Sequence, residues 1–295
     1  MKVRLINVDN FNFPNLALMA ISAYHKCLGD EVDWLNQNDT PDLCYASKVF
    51  NYTSDFTNWP DCRIIKGGTG YDLHSKLPIE INEKLLDYDL YGIDYGIGFL
   101  TRGCIRRCEH CIVPEKEGNI RINADIGELI KSGARDVVLL DNNILAVKDY
   151  AIEQFKKITN LNLRVDFNQG LDARLIDDEI AYYMGKIKFI EYPRLACDSS
   201  EMKVPLEKAV RIMRKHNVTR KRYFCYALIK ELEEGLDRVR FLKSLNLDVF
   251  AQPYRDLNNP DYEPPKILRG FARWVNHKAI FKSVTWEQYK ERKRL

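Results

Sequence analysis

Three of the eight cysteines in this 295-residue sequence lie within eight positions of one another. They are Cys104, Cys108 and Cys111, in the spacing C-x3-C-x2-C. Thiolates are soft ligands, so three of them on one short segment indicate either a zinc site or an iron–sulfur cluster. A structural zinc site needs four ligands, and no nearby cysteine or histidine supplies the fourth at an ordinary spacing. The pattern therefore favours a [4Fe–4S] cluster with one open iron and keeps zinc as the alternative.

The other cysteines are too scattered for a disulfide scaffold, and we interpret them as structural: Cys27, Cys44, Cys62, Cys197 and Cys225. A composition with 45% hydrophobic and 29% charged residues is typical of a soluble globular chain and excludes disorder and fibres. No stretch is long and apolar enough to span a membrane, and no apolar segment of leader length follows Met1. We therefore expect a cytoplasmic protein without a membrane partner.

The cysteine segment must be positioned by regular elements, and strand-like apolar runs alternate with amphipathic helical stretches around it. It follows the first of six candidate strands, which are Tyr95–Leu100, Asp136–Leu140, Leu163–Phe167, Ile187–Ala196, Arg222–Ile229 and Asp248–Ala251. Helical patterns lie between them at 125–132, 149–158, 178–185, 206–216 and 232–245. Six strand–helix units are fewer than the eight that close a TIM barrel. The expected fold class is α/β, with a partial (β/α)6 TIM-type barrel.

Three domains are expected along the chain. Residues 1–90 predict a small Rossmann-like doubly wound domain, since the strand pattern Lys2–Val8 is followed by the helical pattern Leu16–Leu28. Residues 91–257 carry the partial barrel. The run Asn258–Pro265 breaks the alternation, so residues 258–295 predict a short helical C-terminal appendage.

The cysteine segment resembles the signature of the radical S-adenosylmethionine (SAM) enzymes, C-x3-C-x-Φ-C, in which Φ is usually aromatic and His110 occupies that place. The resemblance covers roughly Tyr95–Tyr254 and implies a partial (β/α)6 barrel. It also implies one oxygen-sensitive [4Fe–4S] cluster whose open iron binds the methionine part of SAM. In this family, an electron from the cluster cleaves SAM to methionine and a 5′-deoxyadenosyl radical that abstracts hydrogen from the substrate. An electron donor such as flavodoxin or ferredoxin is implied as partner, and the substrate is unidentified.

The resemblance extends to residues at the ends of later strands. The family's second strand ends in a Gly-Gly-Glu-like turn that receives the amino group of SAM, and this sequence has Asp141-Asn142-Asn143 there. Asn143 takes the place of the glutamate, and Asp141 is a candidate for the missing carboxylate. An amide oxygen accepts a hydrogen bond from an ammonium group without the ionic contribution. Further cofactor-binding candidates at strand ends are Gln169, Arg194 and Asp198. The alternative is that these residues are ordinary polar caps and loop residues.

The N-terminal segment resembles the cobalamin-binding-like domain of one branch of the family. Histidine-ligated cobalamin calls for the motif D-x-H-x-x-G, which Asp72 and His74 begin but Leu77 does not complete. A degenerate structural domain is expected, and cobalamin bound without histidine stays open, as does a cobalamin-dependent methyltransferase. An RNA methylthiotransferase is less favoured, because its three additional cluster cysteines would have to be Cys27, Cys44 and Cys62, which do not obviously converge.

Charge is divided unevenly along the chain. Residues 1–92 contain 8 Lys/Arg and 13 Asp/Glu, whereas residues 93–295 contain 37 and 29, so the two parts carry net charges of −5 and +8. This favours an anionic substrate for the cysteine-bearing part. Basic stretches at 211–222 and 290–294 could contact nucleic acid. A non-enzymatic zinc protein that binds nucleic acid is therefore the rival interpretation.

Overall fold

A computed structural model describes residues 1–219, 222–256 and 259–293. The chain divides into two compact units, Met1–Asp94 with a short stretch ending at Asp261, and Tyr95–Asp256 with the segment that begins at Tyr262. From the predicted basic stretches, Arg220, Lys221 and Arg294 lie outside the described residues. Across the described ranges, no helix has both the length and the apolar character needed to cross a membrane.

The first unit is built on a four-stranded parallel sheet in the order β2-β1-β3-β4. Its elements are β1 (Lys2–Asn7), α1 (Leu16–Cys27), β2 (Glu31–Trp34), β3 (Leu43–Ser47) and β4 (Arg63–Gly67). Asn15 caps the N-terminus of α1, where its side chain accepts a hydrogen bond from the Leu18 nitrogen at 3.2 Å. The apolar face of α1 packs against the inward side chains of β1, including Val3 and Leu5. A parallel sheet follows, as expected for βαβ connections.

The glycines at the end of β4, in the run Gly67-Gly68-Thr69-Gly70, have a structural explanation. Gly68 has a φ of +98°, and a Cβ atom there would lie 2.4 Å from the carbonyl oxygen of Lys48. The turn therefore packs directly against the backbone that follows β3, which only glycine allows.

The second unit contains two parallel sheets, in the orders β10-β9-β8-β5 and β11-β12-β13, and an antiparallel pair of β6 and β7. Its strands are β5 (Gly96–Gly98), β6 (Thr101–Arg102), β7 (Arg121–Ile122), β8 (Asp136–Leu139), β9 (Arg164–Phe167), β10 (Lys188–Phe189), β11 (Arg194–Ala196), β12 (Phe224–Ile229) and β13 (Asp248–Pro253). Its helices are α2 (Val113–Lys116), α3 (Lys148–Asn160), α4 (Asp178–Met184), α5 (Lys203–Lys215), α6 (Leu232–Ser244), α7 (Lys266–Asn276), α8 (Lys278–Ser283) and α9 (Trp286–Lys293). An isolated parallel bridge pairs Leu195 of β11 with Leu171, in the segment that follows β9. The fold is mixed α/β, and over the described residues no barrel is closed.

Two of the predicted elements differ from those observed. The predicted strand Ile187–Ala196 is divided into β10 and β11, and Pro193, which lacks a backbone N–H, lies between them. The predicted helix 125–132 is only a 3-10 turn at Ile126–Leu129. The glycines at 127 and 133 weaken a longer helix there.

The helices cover the sheets with regularly spaced apolar side chains. In α5, Leu206, Ala209, Val210 and Met213 are all buried, at the spacing of one helical face. Helix α7 packs on β13, and aromatic rings from α7, α8 and α9 cluster with it: Phe271, Trp274, Phe281 and Trp286. The indole nitrogen of Trp274 donates to the Val284 carbonyl oxygen at 2.9 Å. The predicted helical appendage is thus helical and shares the core of the second unit. The three-domain division itself stays a prediction.

Arg238 is a fully buried cation in α6, and its substitution tests this core. Its guanidinium donates to the Leu228 carbonyl oxygen at 2.7 Å and to the Glu234 carboxylate at 2.7 Å. Arg238→Met should lower the free energy of unfolding by about 2–4 kcal/mol, because buried acceptors lose their donor. Urea denaturation measures this. The control Arg240→Met, on an exposed part of α6, should change it by no more than about 0.5 kcal/mol; equal effects would contradict the prediction.

Candidate functional site

The three clustered cysteines lie on one loop that is closed at its base. Strands β6 and β7 pair antiparallel, with Thr101 opposite Ile122 and Arg102 opposite Arg121. The Arg102 guanidinium also binds the Glu117 carboxylate at 3.0 Å. We call residues 103–120 the cysteine loop. Its closed base restricts where Cys104, Cys108 and Cys111 can lie.

Gly103 begins the cysteine loop in a conformation that excludes other residues. Its φ is +82°, and a Cβ atom would lie 2.3 Å from the Asn119 carbonyl oxygen. The backbone nitrogen of Gly103 donates to the Asn142 side-chain oxygen at 2.9 Å. Asn142 therefore fastens the start of the loop to the residues that follow β8.

Asp141 makes a second attachment between the same two segments. Its carboxylate accepts from the backbone nitrogen of Leu100 at 3.2 Å and from the hydroxyl of Thr101 at 2.7 Å. The side chain is buried, and burial raises the pKa of Asp141 to about 6. The structure thus uses Asp141 and Asn142 to position the cysteine loop. A direct contact of either with a cofactor stays a prediction.

Asn143, the third residue of this turn, faces the cysteines. Its side-chain nitrogen lies 3.5 Å from the Cys104 sulfur and 3.3 Å from the Asp172 carboxylate. The residue is 5% exposed, and its side-chain oxygen has no hydrogen-bond partner among the described residues. A buried amide oxygen without a donor is uncommon and costs free energy. It fits the predicted role of Asn143 as an acceptor for a ligand's donor.

Asp172 is a central residue that the sequence interpretation missed. Its carboxylate accepts from Arg106 at 3.1 Å and from Arg174 at 2.7 and 3.1 Å. Burial alone would raise the pKa of Asp172, but hydrogen bonds from these guanidinium groups lower it. Its carboxylate, together with the Cys108 thiol, raises the pKa of the Arg174 guanidinium. Its place in the sequence could have indicated a role at the site, because Asp172 follows the end of β9 in the same loop as Gln169.

The three thiols lie partly open to solvent. Cys104 and Cys108 are half-buried, and Cys111 is exposed at a pocket that Cys108, Pro114 and Glu115 also line. Protein packed around its sulfur raises the pKa of Cys111, and Cys108, Cys104 and Asp198 raise it further. In the described ranges, no three His, Cys, Asp or Glu side chains converge tightly enough to hold a single metal ion. The cysteine ligands of a [4Fe–4S] cluster bind different irons, so the donor set fits that group without such convergence.

His110 of the cysteine loop and Asp198 come together. The His110 Nε2 atom lies 3.7 Å from the Asp198 carboxylate, which also accepts from the Leu228 nitrogen at 3.0 Å. Asp198 follows β11 as predicted, and it links the cysteine loop to β12. Two predicted site residues from distant parts of the sequence are therefore neighbours.

The last two predicted site residues lie apart from this cluster of contacts. Gln169 is exposed, and its amide lies 3.5 Å from the Asn168 side-chain oxygen. Arg194 begins β11 instead of following it, and its guanidinium binds both oxygens of Asp166, at 2.8 and 2.7 Å. This bidentate pair joins β11 to β9, which belong to different sheets, and fixes the Arg194 side chain. Its predicted cofactor contact stays a prediction.

Comparison with known proteins supports the family resemblance. No protein-family model matches the chain. The structure of TsrM from Kitasatospora setae, a radical SAM methyltransferase with bound cobalamin and [4Fe–4S] cluster, is similar with a TM-score of 0.62 and 13% identity, covering 86% of this chain and 75% of TsrM. OxsB, a cobalamin-dependent SAM radical enzyme, is similar with a TM-score of 0.52 and 12% identity, covering 95% of this chain and 56% of OxsB.

The chain is also similar in sequence to a plant protein. The CDK5RAP1-like protein of Oryza sativa subsp. japonica is 26% identical over 159 residues, which are 49% of this chain and 26% of that protein. This chain thus spans about a quarter of that relative's length.

The resemblance to radical SAM proteins is confirmed at the level of the fold, and the prediction of an enzyme agrees with both solved neighbours. The predicted α/β class is confirmed, and the partial barrel stays a prediction.

The raised pKa of Asp141 predicts that the free energy of unfolding depends on pH. Because its pKa rises from 3.8 to about 6 on folding, the folded chain holds the proton more tightly than the unfolded chain. The stability that protonation of Asp141 contributes is complete below pH 3.8 and is lost as the pH rises through about 6. The advantage of the native chain over Asp141→Asn, measured by urea denaturation, should fall by about 2–3 kcal/mol between about pH 4 and pH 7. A pH-independent difference would contradict this.

Proposed function

We propose that this protein is a radical SAM enzyme that holds one [4Fe–4S] cluster through Cys104, Cys108 and Cys111. The observation that supports it most is the closed cysteine loop fastened to the turn after β8, where Asn143 presents an unpartnered buried oxygen. We further propose that the second unit acts as a partial (β/α)6 barrel. The protein would be cytoplasmic and oxygen-sensitive, with a flavodoxin or ferredoxin as electron donor and an unidentified, anionic substrate.

Each residue of the site has a separate task in this proposal. The reduced cluster would supply one electron to the sulfonium of SAM, which divides into methionine and a 5′-deoxyadenosyl radical. The three thiolates hold the cluster, and Asp141 and Asn142 hold the loop that carries them. Asn143 accepts a hydrogen bond from the amino group of SAM, and Asp198 pairs with His110 of the cysteine loop.

Replacement of one ligand tests the cluster. After anaerobic reconstitution with iron and sulfide, the native chain should hold about four irons and, once reduced, release 5′-deoxyadenosine from SAM. Cys108→Ala should lose the brown colour, most of the iron and the cleavage, because two protein thiolates hold a cluster poorly. Cys27→Ala, at an exposed cysteine of the first unit, is the matched control and should retain all three.

Other outcomes of this experiment would favour the alternative functions. Stoichiometric zinc, absence of colour and salt-sensitive nucleic-acid binding would favour the non-enzymatic zinc protein. About eight irons per chain would favour a methylthiotransferase-like enzyme with a second cluster. The structure offers that second cluster little support, because Cys44 and Cys62 pack together on the face of the sheet away from α1, whereas Cys27 ends α1.

A cobalamin-dependent methyltransferase is the second candidate, favoured by the first unit. Its strand order reverses between β1 and β3, and ligands of doubly wound sheets bind at the carboxyl ends of such strands. Aromatic side chains stand exposed there: the Phe11 and Phe50 rings are 5.6 Å apart, and Phe50 stacks on Tyr52 at 5.2 Å. Flat apolar surfaces of this kind suit a large planar ring. His74 is exposed, and we propose binding without a histidine ligand.

Titration with hydroxocobalamin tests the second candidate. The native chain should bind about one equivalent, seen as a shift of the cobalamin absorption spectrum and co-elution in gel filtration. Phe50→Ala should weaken binding by about tenfold or more through lost ring contacts, whereas Tyr182→Ala, an exposed aromatic in α4, should not. Equal binding by both variants, or none by the native chain, would contradict this candidate.

A further inference from the structure

We propose that Asp172 is a positioning residue that fixes the orientation of the Asn143 amide, so that its oxygen and not its nitrogen is offered to the amino group of SAM. This inference rests on the proposed function. It goes beyond it by assigning a role to a residue outside the cysteine motif and outside the turn after β8. The juxtaposition that carries it is the 3.3 Å contact between the Asn143 side-chain nitrogen and the Asp172 carboxylate.

The orientation follows from the chemistry of the two groups. An ionised carboxylate accepts hydrogen bonds and donates none, so the amide must turn its NH2 group toward Asp172. The reversed amide would set its oxygen against the carboxylate oxygen and the Cys104 sulfur, both of which carry negative charge when ionised. Both neighbours of the nitrogen are therefore acceptors, and they select the same orientation.

Asp172 is itself held firmly enough to impose this choice. Its side chain is 7% exposed and receives the Arg106 and Arg174 guanidinium groups on its two oxygens. It also accepts from the Arg174 backbone nitrogen at 3.2 Å, which caps the 3-10 turn Ala173–Leu175. Turning the carboxylate away from Asn143 would break charge-assisted bonds. The amide is the mobile partner and Asp172 the fixed one.

The fixed orientation leaves the Asn143 oxygen in need of a donor. The residue is more than nine-tenths buried, and the oxygen has no partner in the part of the chain that the structure describes. An unpaired buried acceptor is costly, and a ligand with N–H donors relieves that cost when it reaches the oxygen. The oxygen is covered by protein, so the ligand must also displace that cover. An ammonium group beside the cysteine loop meets the requirement for a donor.

Exchange of the two side chains tests this role. In Asn143→Asp/Asp172→Asn, the new amide at position 172 donates to one oxygen of the new carboxylate at position 143, which leaves the other oxygen free for the ammonium. Asp172→Asn alone removes the charge and replaces one of the two acceptor oxygens by an NH2 donor, so position 172 no longer selects a single orientation of the Asn143 amide. Asp248→Asn is the matched control, because Asp248 also binds two cations, Arg222 and Lys278, at the start of β13.

Binding of SAM to the reconstituted, anaerobic proteins is measured by calorimetry, and the spectrum of the reduced cluster is recorded by electron paramagnetic resonance with and without SAM. Asp172→Asn should bind SAM about 10–100-fold more weakly, and the exchanged variant should return to within about threefold of the native chain. Asp248→Asn should stay within about twofold. The SAM-induced change in the spectrum should disappear in Asp172→Asn and reappear in the exchanged variant.

Two results would overturn the inference. One is native affinity in Asp172→Asn. The other is an exchanged variant that folds and keeps its iron but binds at least tenfold more weakly than the native chain, since Asp172 would then act only through its arginines. If Asp172→Asn does not fold, the exchanged variant decides alone. Failure of the native chain to bind SAM with its iron in place would instead overturn the proposed function.

Discussion

The hydrogen bonds that Asp141 makes to the start of the cysteine loop are the constraint on which the rest of the site depends. They join the end of β8 to residues that follow β5, and Asn142 adds a bond to the Gly103 nitrogen. With two residues of the turn committed to the backbone, the third is left to face Cys104. The position of the first thiol and that of the nearby acceptor are thus set by one short turn.

Local charge at this site is arranged differently from the charge of the chain as a whole. Residues 93–295 carry a net charge of +8, and exposed ion pairs of this segment, such as Lys215 with Asp178 and Lys230 with Glu109, contribute little to stability. At the cysteine loop, two guanidinium groups are concentrated on Asp172 instead. Arg106, within the cysteine loop, and Arg174 are therefore held in place by the same carboxylate.

Much of the fold could be predicted from the sequence, because buried parallel strands are continuous apolar runs and the cysteine spacing is local. The break at Pro193 was not predicted, since apolar residues continue on both sides of it. Arg194 was assigned to the site because it is polar near a strand end, but its partner Asp166 lies on β9, a strand of the other sheet. The position of Asp172 after β9 makes it one of several polar residues near a strand end, and its role could not be singled out because that role depends on contacts with Arg106 and Asn143, which are far away in the sequence.

The amide at position 143 explains why Asp172 is needed. A glutamate, which the family resemblance places there, has two equivalent carboxylate oxygens and accepts a donor in either orientation. An amide has one acceptor and one donor end, and only one orientation suits an ammonium group. An asparagine at this position thus lacks the ionic attraction of a glutamate, and its amide must also be held in one orientation. An acceptor fixed beside the amide nitrogen holds it in that orientation. The contact between Asn143 and Asp172 supplies that acceptor within the protein itself.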